Sequence, residues 1–358
     1  MIDLRSDTAT KPTPAMREAI ANAAVGDEQL REDPTVNELE RRAAEVLGQE
    51  DSVFVPTATM ANEIALRVLG QPGDELIAEE NSHILAAELG GPAVHAGLIT
   101  RHLPARAGRF TPDQVRAAAR SGDLGHVPTT RIVAVENTHN ASGGRVWPFA
   151  ELEAMAETCR ELDLFLHVDG ARLFNASVAS GQEPSAIAGL ADTVTVCFSK
   201  GLGCPLGAIV AGSSERMLLA RRYKHQFGGA MRQAGIVAAA CVYALDHHVE
   251  RLAEDHARAR RLAERLHEAG VPVDLEQVET NFVQIDVGAL GLAPGEATER
   301  LLSEGIRVSG TYYPGVLRAV THLGIGDDDI DEAIEAVPRA LGAQPRLPAT
   351  KNAPATTP

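Results

Sequence analysis

Apolar residues recur at every third or fourth position in several segments of the chain, which is the pattern of an amphipathic helix. The segment 148–163 shows it, and so does 36–47, where Thr35 and Glu38 form a capping-box pattern and Gly48 follows as an end signal. We predict helices over both segments. Further helices are predicted over 249–270, 295–304 and 327–342, and the continuous apolar run 234–245 is interpreted as a buried helix.

Short apolar runs without that spacing predict buried strands at 131–136, 164–169, 193–199 and 207–212. The helix at 148–163 lies between the first two runs, which is the order of a right-handed parallel crossover. The last two runs are close enough along the chain to pair antiparallel. These elements predict an α/β fold in which helices flank a mostly parallel sheet.

The pattern changes near Val249, where a long helix, a strand at 281–287 and two more helices follow. We therefore expect four parts in the chain. They are an N-terminal segment 1–30 that contributes to the active site, a large domain 31–246, a smaller C-terminal α+β domain 247–342 and a tail 343–358. The tail is rich in proline, alanine and threonine, so we expect it to be disordered.

Charged side chains stand where two neighbouring predicted strands end. Asp169 closes the run LFLHVD, Arg172 follows three residues later, and Lys200 closes TVTVCFSK. Ligands of open α/β sheets bind at the carboxyl ends of the strands. A surface ion pair beside a solvated lysine is the alternative, and it would be preferred for any one of these residues alone. The three together favour a Schiff-base site.

Each residue type has a chemical reason to be there. A lysine attacks a carbonyl carbon as the neutral amine, and Gly201 and Gly203 leave room around Lys200 for a bulky aldehyde such as pyridoxal 5'-phosphate. A carboxylate keeps the ring nitrogen of that cofactor protonated, and Asp169 is the candidate. The planar guanidinium of Arg172 matches a substrate carboxylate in a two-point contact.

A helix is predicted to begin near Thr59, directly after a short apolar strand. Its free amide groups, with the hydroxyls of Thr57 and Thr59, would bind an anion such as the cofactor phosphate. Ordinary helix capping by a threonine is the alternative. A polar cluster at 136–139 ends another strand, where it would contact the cofactor ring or cap the strand.

The chain resembles the low-specificity L-threonine aldolases, pyridoxal-phosphate enzymes of fold type I, from Ile2 to about Leu341. The resemblance rests on motifs in the same order: LRSDTAT (4–10), EDPTVNELE (32–40), PTATMAN (56–62), ENTHN (136–140), HVDGARLFNA (167–176), SKGLG (199–203), GGAMRQAG (228–235) and RAVTHL (318–323). It implies cleavage of L-threonine, L-allo-threonine and other β-hydroxy-α-amino acids to glycine and an aldehyde. Transamination, β-elimination and racemisation on the same fold are the alternatives.

The resemblance also implies roles for the matching residues. Lys200 would hold the cofactor as a Schiff base in the domain 31–246, Asp169 would bind its ring nitrogen, and His83 would stack on the ring. The other cofactor contacts would come from Thr57, Ala58, Thr59, Arg172 and, from a neighbouring subunit of a homotetramer, Lys224 and Arg232. The substrate contacts would come from Ser6, Arg172 and Arg318 at the carboxylate and from His83, His126 and Glu88 at the hydroxyl.

Cleavage of the Cα–Cβ bond needs a base for the substrate hydroxyl. Histidine titrates near neutral pH, whereas a glutamate needs burial to act as a base there. His83, directly or through a water, is therefore preferred over Glu88, and His126 would orient the hydroxyl. Taken without the resemblance, these are two of 12 histidines, and a structural role would be the simpler interpretation.

Three positions depart from the family pattern. Leu30 stands in place of a tyrosine, Ala58 in place of a glycine, and Ala87 in place of a bulkier residue. Each change removes volume or a hydroxyl near the expected pocket, which leads to the hypothesis that the site admits β-aryl serines. Tyr312 and Tyr313, in a loop that is longer than usual, would line the same pocket or lie on the surface.

Composition narrows the function classes. The chain has 33 Lys and Arg against 49 Asp and Glu, and its net charge of −16 argues against a nucleic-acid partner. Its longest apolar run is too short to cross a bilayer. The four cysteines lack metal-ligand and disulfide spacing, so we expect a cytoplasmic protein. No ligand cluster identifies a metal site, and a structural cation is left open. A nicotinamide dehydrogenase or a cofactor-free binding protein is disfavoured, since no G-x-G-x-x-G opens the first strand–helix turn.

Overall fold

The computed structural model describes residues 1–122 and 125–344. The strands are β1 (Ile2–Asp3), β2 (Asp51–Val55), β3 (Glu75–Glu79), β4 (Ile99–Leu103), β5 (Thr130–Glu136), β6 (Phe165–Gly170), β7 (Thr193–Cys197), β8 (Ala208–Gly212), β9 (Phe282–Asp286), β10 (Ile306–Arg307), β11 (Ser309–Gly310) and β12 (Val316–Val320). The predicted disordered tail 343–358 lies outside the described residues from position 345 onward.

The helices occupy the segments that the apolar spacing predicts, and several more. They are α1 (Pro14–Ala21), α2 (Pro34–Leu47), α3 (Ala58–Leu69), α4 (His83–Ala86), α5 (Gly91–Ala96), α6 (Pro112–Ala118), α7 (Phe149–Glu161), α8 (Leu173–Ser180), α9 (Pro184–Ala188), α10 (Ser214–Gln226), α11 (Gly235–His247), α12 (Leu252–Glu268), α13 (Pro294–Ser303) and α14 (Asp327–Leu341). Short 3-10 turns lie at Asp7–Ala9, Glu28–Leu30 and Gly288–Leu290.

The start of α2 differs from its prediction. Asp33, rather than Thr35, caps the helix: one oxygen of Asp33 accepts hydrogen bonds from the backbone N–H groups of Thr35 and Val36 at 3.1 and 3.0 Å. Pro34 explains the shift, because proline suits the first helical position and leaves the capping role to the residue before it. Gly48 ends the helix as predicted, with a φ of 61°.

Seven strands form the central sheet in the order β2-β8-β7-β6-β5-β3-β4. β8 runs antiparallel to both of its neighbours, and the remaining neighbours are parallel. Every residue of β3, β7 and β8 is buried, as expected for a sheet that helices cover on both faces. The predicted α/β fold with a mostly parallel sheet is confirmed.

The N-terminal segment connects the C-terminal core to the central sheet. β1 pairs with β10, and Ile2 and Leu4 pack in a core formed otherwise by residues of 259–341. This core covers the antiparallel sheet β11-β12-β9. The chain then crosses to the central sheet, where the Thr10 hydroxyl donates to the Lys200 carbonyl at 2.9 Å. The crossing places Asp7 between Arg172, which follows β6, and Asn281, which precedes β9.

The apolar segment 234–245 lies in α11, which packs against α1 and α2. Its composition is explained by this packing, since most of its alanines are buried. Within 1–122 and 125–344, none of the helices has both the length and the apolar character that crossing a bilayer requires.

Candidate active site

The carboxyl ends of β5, β6 and β7 lie side by side. Glu136 in β5 is the register partner of Asp169 in β6, and Asp169 is in turn the partner of Thr195 in β7. Lys200 follows the end of β7 by three residues, in a turn that Thr10 fixes through the Lys200 carbonyl. The fold therefore places the acid and the lysine at neighbouring strand ends.

Asp169 is 2% exposed, and neutral donors hold both of its oxygens. Oδ1 accepts from the backbone N–H of Ala171 at 3.1 Å, and Oδ2 accepts from the amide of Asn62 at 3.0 Å. The same Asn62 amide donates to Glu88 at 3.0 Å, and its carbonyl oxygen accepts from the Thr195 hydroxyl at 2.8 Å. Asn62 thus fixes the two carboxylates relative to each other, a role that the sequence analysis missed.

His83 and Glu88 form a hydrogen-bonded pair next to Asp169. The distance from His83 Nδ1 to Glu88 Oε1 is 2.7 Å, and the side chain of Glu88 is buried. An ionised carboxylate only accepts, so Nδ1 donates and Nε2 is left for another partner. Burial alone would lower the pKa of His83, but the hydrogen bond to Glu88 and the charges of Asp169 and Glu136 raise it above its usual value.

Ligand atoms of His83, Glu88 and Asp169 lie within 4.8 Å of one another. Such spacing can suit a cation, but here the His83–Glu88 hydrogen bond and the Asn62 bridge account for it. We therefore assign no metal to this cluster, and the absence of a metal site stays a prediction.

Arg172 makes a two-point contact with Asp7 rather than presenting a free guanidinium. Its Nε and Nη2 each lie 2.7 Å from an Asp7 oxygen, and both side chains are buried. Burial raises the pKa of Asp7, but the charge and hydrogen bonds of Arg172, helped by Lys200, lower it to about 2. The predicted two-point contact between Arg172 and a substrate is therefore already occupied, and only Nη1 is left. Ser6, next to Asp7, caps the 3-10 turn by accepting from the Thr8 N–H at 3.2 Å.

Arg318 lies close to Arg172 and has only neutral partners among the described residues. It donates to the Ser309 hydroxyl at 2.9 Å and to the Asn140 carbonyl oxygen at 2.8 Å. The guanidinium carbons of Arg172 and Arg318 lie 4.9 and 5.4 Å from the centre of the Phe282 ring. Burial and the charge of Arg172 lower the pKa of Arg318. Of these two cations only Arg172 is paired with a carboxylate, so the site has a positive charge to offer to an anion.

The first turn of α3 combines an ordinary threonine cap with two backbone amides that have no acceptor among the described residues. Thr57 is its cap, because the Thr57 hydroxyl accepts from the Met60 N–H at 3.2 Å, and the helix begins at Ala58, close to the predicted start. Thr59 is exposed. Within the described residues, no acceptor is found for the N–H groups of Ala58 and Thr59. These amides are available for a phosphate.

Lys224 and Arg232 lie near this turn but contact acids of their own chain. Lys224 Nζ is 2.5 Å from Glu28, and Arg232 Nη1 is 2.8 Å from Asp27. A Cβ built on Gly229 would collide with the Met60 sulfur, so the segment that carries Arg232 packs against the start of α3.

His126 is not brought into contact with the other predicted residues. It is exposed in the loop after positions 123–124, and across the described residues no hydrogen bond, ion pair or ring contact joins it to the site. Leu30 is 66% exposed, and Ala87 is exposed next to Glu88. Tyr312 lines a cavity of about 280 Å³ together with Asn140 and Arg318.

The sequence profile of the beta-eliminating lyases ("Beta-eliminating lyase") matches residues 3–289 of the chain. The chain belongs to this family. Among relatives of this lyase, the low-specificity L-threonine aldolase of Escherichia coli K12 is 40% identical over 335 residues, which cover 93% of the chain and 97% of that protein. The probable low-specificity L-threonine aldolase 2 of Arabidopsis thaliana is 39% identical over 338 residues, covering 92% and 94%. The resemblance stated from the motifs is confirmed.

Solved structures share the fold of this beta-eliminating lyase. Leishmania major threonine aldolase superposes with a TM-score of 0.83 at 20% identity, covering 95% of this chain and all of that one. A Thermus thermophilus aspartate aminotransferase double mutant gives 0.70 at 18% identity, covering 95% and 91%. The lyase has the fold-type-I architecture of pyridoxal-phosphate enzymes, as predicted.

The donor set of the lyase fits pyridoxal phosphate. Asp169 is a buried carboxylate whose hydrogen-bond donors are neutral, and it forms no ion pair within the described part of the chain. A protonated ring nitrogen would supply the missing cation. The amine of Lys200 likewise makes no hydrogen bond or ion pair with the described side chains.

Replacing Asp7 by asparagine is expected to destabilise the lyase by about 3 kcal/mol at neutral pH, because it leaves the buried Arg172 without its carboxylate. The lowered pKa of Asp7 stabilises the folded state fully above the ordinary value of 3.8, and this stabilisation is lost as the pH falls toward about 2. Wild-type stability should therefore fall over this window by about 2 kcal/mol more than that of Asp7→Asn. Urea unfolding at several pH values measures the loss of stability at neutral pH and the difference in pH dependence between the two proteins.

The matched control is Asp3→Asn, because Asp3 also pairs with an arginine, Arg5, but at the surface. It should cost about 0–1 kcal/mol. Equal losses for the two variants would show that the buried pair contributes no more than the exposed one.

Proposed function

We propose that this lyase binds pyridoxal 5'-phosphate and cleaves L-threonine, L-allo-threonine and related β-hydroxy-α-amino acids to glycine and an aldehyde. The observation that carries the proposal is the His83–Glu88 pair at 2.7 Å, beside Asp169 and at the same sheet edge as Lys200. A lysine and an acid suit many pyridoxal-phosphate reactions. A histidine that a carboxylate orients adds the base that a substrate hydroxyl needs.

The cofactor would be held at four points. Lys200 would bind its aldehyde carbon, Asp169 its ring nitrogen, and His83 its ring face. The amides at the start of α3, with Thr57 and Thr59, would bind its phosphate. Bound in this way, pyridoxal phosphate supplies an electron sink for the electron pair that cleavage leaves on the substrate Cα.

The side chains of the site would orient the substrate. Arg318 would bind the substrate carboxylate, assisted by Nη1 of Arg172 and by Ser6. Because Asp7 holds Arg172 in place, the carboxylate would meet a fixed pair of cations. This contact would fix which bond at Cα lies perpendicular to the cofactor ring, and we propose that it is Cα–Cβ.

His83 would then take the proton of the substrate hydroxyl. Its Nδ1 is bound to Glu88, so the lone pair of Nε2 in the neutral ring is the one that can accept. The hydrogen bond to Glu88 stabilises the cation that forms when the proton arrives. His126 would orient the hydroxyl only if its loop moves toward the site.

A product assay tests this function. The lyase saturated with pyridoxal phosphate is incubated with L-threonine, L-allo-threonine and L-phenylserine, and glycine and aldehyde are measured. We expect equal amounts of glycine and aldehyde without any added oxo acid. Ammonia and an oxo acid in place of glycine would instead indicate β-elimination, and a requirement for an oxo-acid acceptor would indicate transamination.

We further propose that the site accepts β-aryl serines. Ala87 is small and exposed beside Glu88, and the cavity next to Arg318 is bordered by Tyr312, whose ring could contact an aryl group. Phenylserine should be cleaved at least as fast as threonine. Turnover of phenylserine far below that of threonine would refute this part of the proposal and leave the reaction type intact.

The assembly is proposed to be a homotetramer in which Lys224 and Arg232 serve a neighbour's phosphate. Lys224 borders a cavity of about 460 Å³ that Leu218 also lines, and Leu218 is 65% exposed, as expected for a surface that another subunit covers. Light scattering measures the particle mass. We propose the cytoplasm as the compartment, because all four cysteines are buried free thiols.

A further inference from the structure

A second carboxyl group is buried behind the His83–Glu88 pair. Glu63, the residue after Asn62 in α3, is 2% exposed, and its carboxyl group lies next to that of Glu88. Across the described residues, no N–H or hydroxyl donor reaches either oxygen of Glu63 or Oε2 of Glu88. A Cβ built on Gly91 would collide with Glu63 Oε1, so the carboxyl group is closely enclosed.

Two buried carboxyl groups in contact do not both ionise, because their charges repel and burial penalises each of them. The titratable groups around this pair are His83 at the start of α4, Asp169 in β6 and Glu136 in β5. His83 is the cation among them, and Glu88 already binds it. Burial and the charge of Glu88 raise the pKa of Glu63 well above its usual range.

We propose that Glu63 is a positioning residue: a neutral carboxylic acid that donates a hydrogen bond to Oε2 of Glu88 and so sets the pH at which His83 becomes a base. The inference rests on the proposed function, since it concerns the residue that would take the substrate proton. The proposal supplies a hydrogen-bond donor for Oε2 of Glu88, which is buried without one among the described residues.

The hydrogen bond from Glu63 would act on His83 through Glu88. A donor on Oε2 draws negative charge away from Oε1, which weakens the attraction between Glu88 and a protonated His83. It also holds the carboxylate in the orientation that places Oε1 against Nδ1. Without this donor, His83 would keep its proton to higher pH, and it would therefore become an active base only at a higher pH.

The test compares Glu63→Leu and Glu63→Gln in the cofactor-saturated enzyme, with kcat/KM for threonine measured across pH. Glutamine keeps a donor for Oε2, and leucine removes it. Glu63→Leu should move the acid limb of the profile upward by about one pH unit, the size expected for one hydrogen bond to a charged group. Glu63→Gln should leave the limb at its wild-type position.

The direction of the pH shift distinguishes a neutral Glu63 from an ionised one. If Glu63 were ionised, both variants would remove a negative charge near His83, and the acid limb of each variant's profile would move to lower pH. An unchanged limb in Glu63→Leu would also overturn the proposal. Glu75→Gln is the control, because Glu75 is equally buried but is paired with Arg101 and Arg120 in another part of the sheet; it should lose stability without a shift of the limb.

Infrared spectroscopy gives a readout that needs no turnover. The C=O stretch of a protonated carboxylic acid should be stronger in the wild-type protein at neutral pH than in either Glu63 variant, because each variant removes one protonated acid. Equal intensity in all three proteins, or no band in any of them, would show that Glu63 does not carry the proton. A wild-type enzyme that shows this band but forms no glycine would refute the proposed function and leave the protonated Glu63 in place.

Discussion

Lys200→Ala is expected to abolish both the covalent cofactor complex and turnover, with a loss of at least about 10³-fold in kcat/KM, because the amine that would bind the cofactor aldehyde is removed. The wild-type protein, saturated with pyridoxal phosphate and reduced with borohydride, should carry a covalent adduct on the peptide that contains Lys200. Absorption spectra and peptide mass spectrometry measure the complex and the adduct, and steady-state kinetics measure the turnover.

Lys11→Ala provides the comparison. Lys11 is an exposed lysine next to Thr10, whose hydroxyl binds the Lys200 carbonyl. This variant should keep the absorption of the cofactor complex, the reduced adduct on the Lys200 peptide and the wild-type turnover rate. The assignment of Lys200 would be lost if Lys200→Ala kept wild-type turnover, or if the reduced adduct were found elsewhere in the wild-type chain.

Asp169→Asn should lower kcat by about 10²–10³-fold and weaken cofactor binding, because the carboxylate that would keep the ring nitrogen protonated is replaced by a neutral group of the same size. Asp169→Ala should do the same, which separates the loss of charge from the loss of packing. Single-turnover kinetics measure the chemical step, and titration of the apoenzyme measures cofactor affinity.

Asp192→Ala is the matched control, since Asp192 lies just before β7, at the opposite end of the same sheet, where it accepts from the Leu166 N–H at 2.9 Å and pairs with Arg216. It should reduce stability without changing the rate of the chemical step. Full rate and full cofactor affinity in both Asp169 variants would refute the role given to this acid.

Local sequence patterns were sufficient to predict the helices and strands near the site and the pairing of neighbouring strands there. The apolar runs at 164–169 and 207–212 coincide with β6 and β8 within one residue, because strands that helices cover on both faces are rich in apolar residues. The antiparallel pair β7–β8 follows from the short connection between the two strands. The cap of α2 was missed, since a proline at position 34 shifts the capping role to Asp33.

The hydrogen-bonded partners of the site could not be found in this way. Asn62 and Glu63 stand between apolar residues of a helix, and two polar residues on a buried helix face are a signal that was available. Their partners Asp169 and Glu88 lie 107 and 26 residues from Asn62. Helical spacing reports which face is buried, and it carries no information about which distant side chain meets that face.

By itself, the sequence determined the fold class, the family and the two strand ends where Asp169 and Lys200 stand, because hydrophobic spacing and contiguous motifs are local properties of the chain. Only the tertiary structure decided that Arg172 is bound to Asp7 and that Arg318 has no carboxylate partner among the described residues. Charge pairing depends on distances between residues far apart in the sequence, and these distances are set only when the segments that carry the residues pack together.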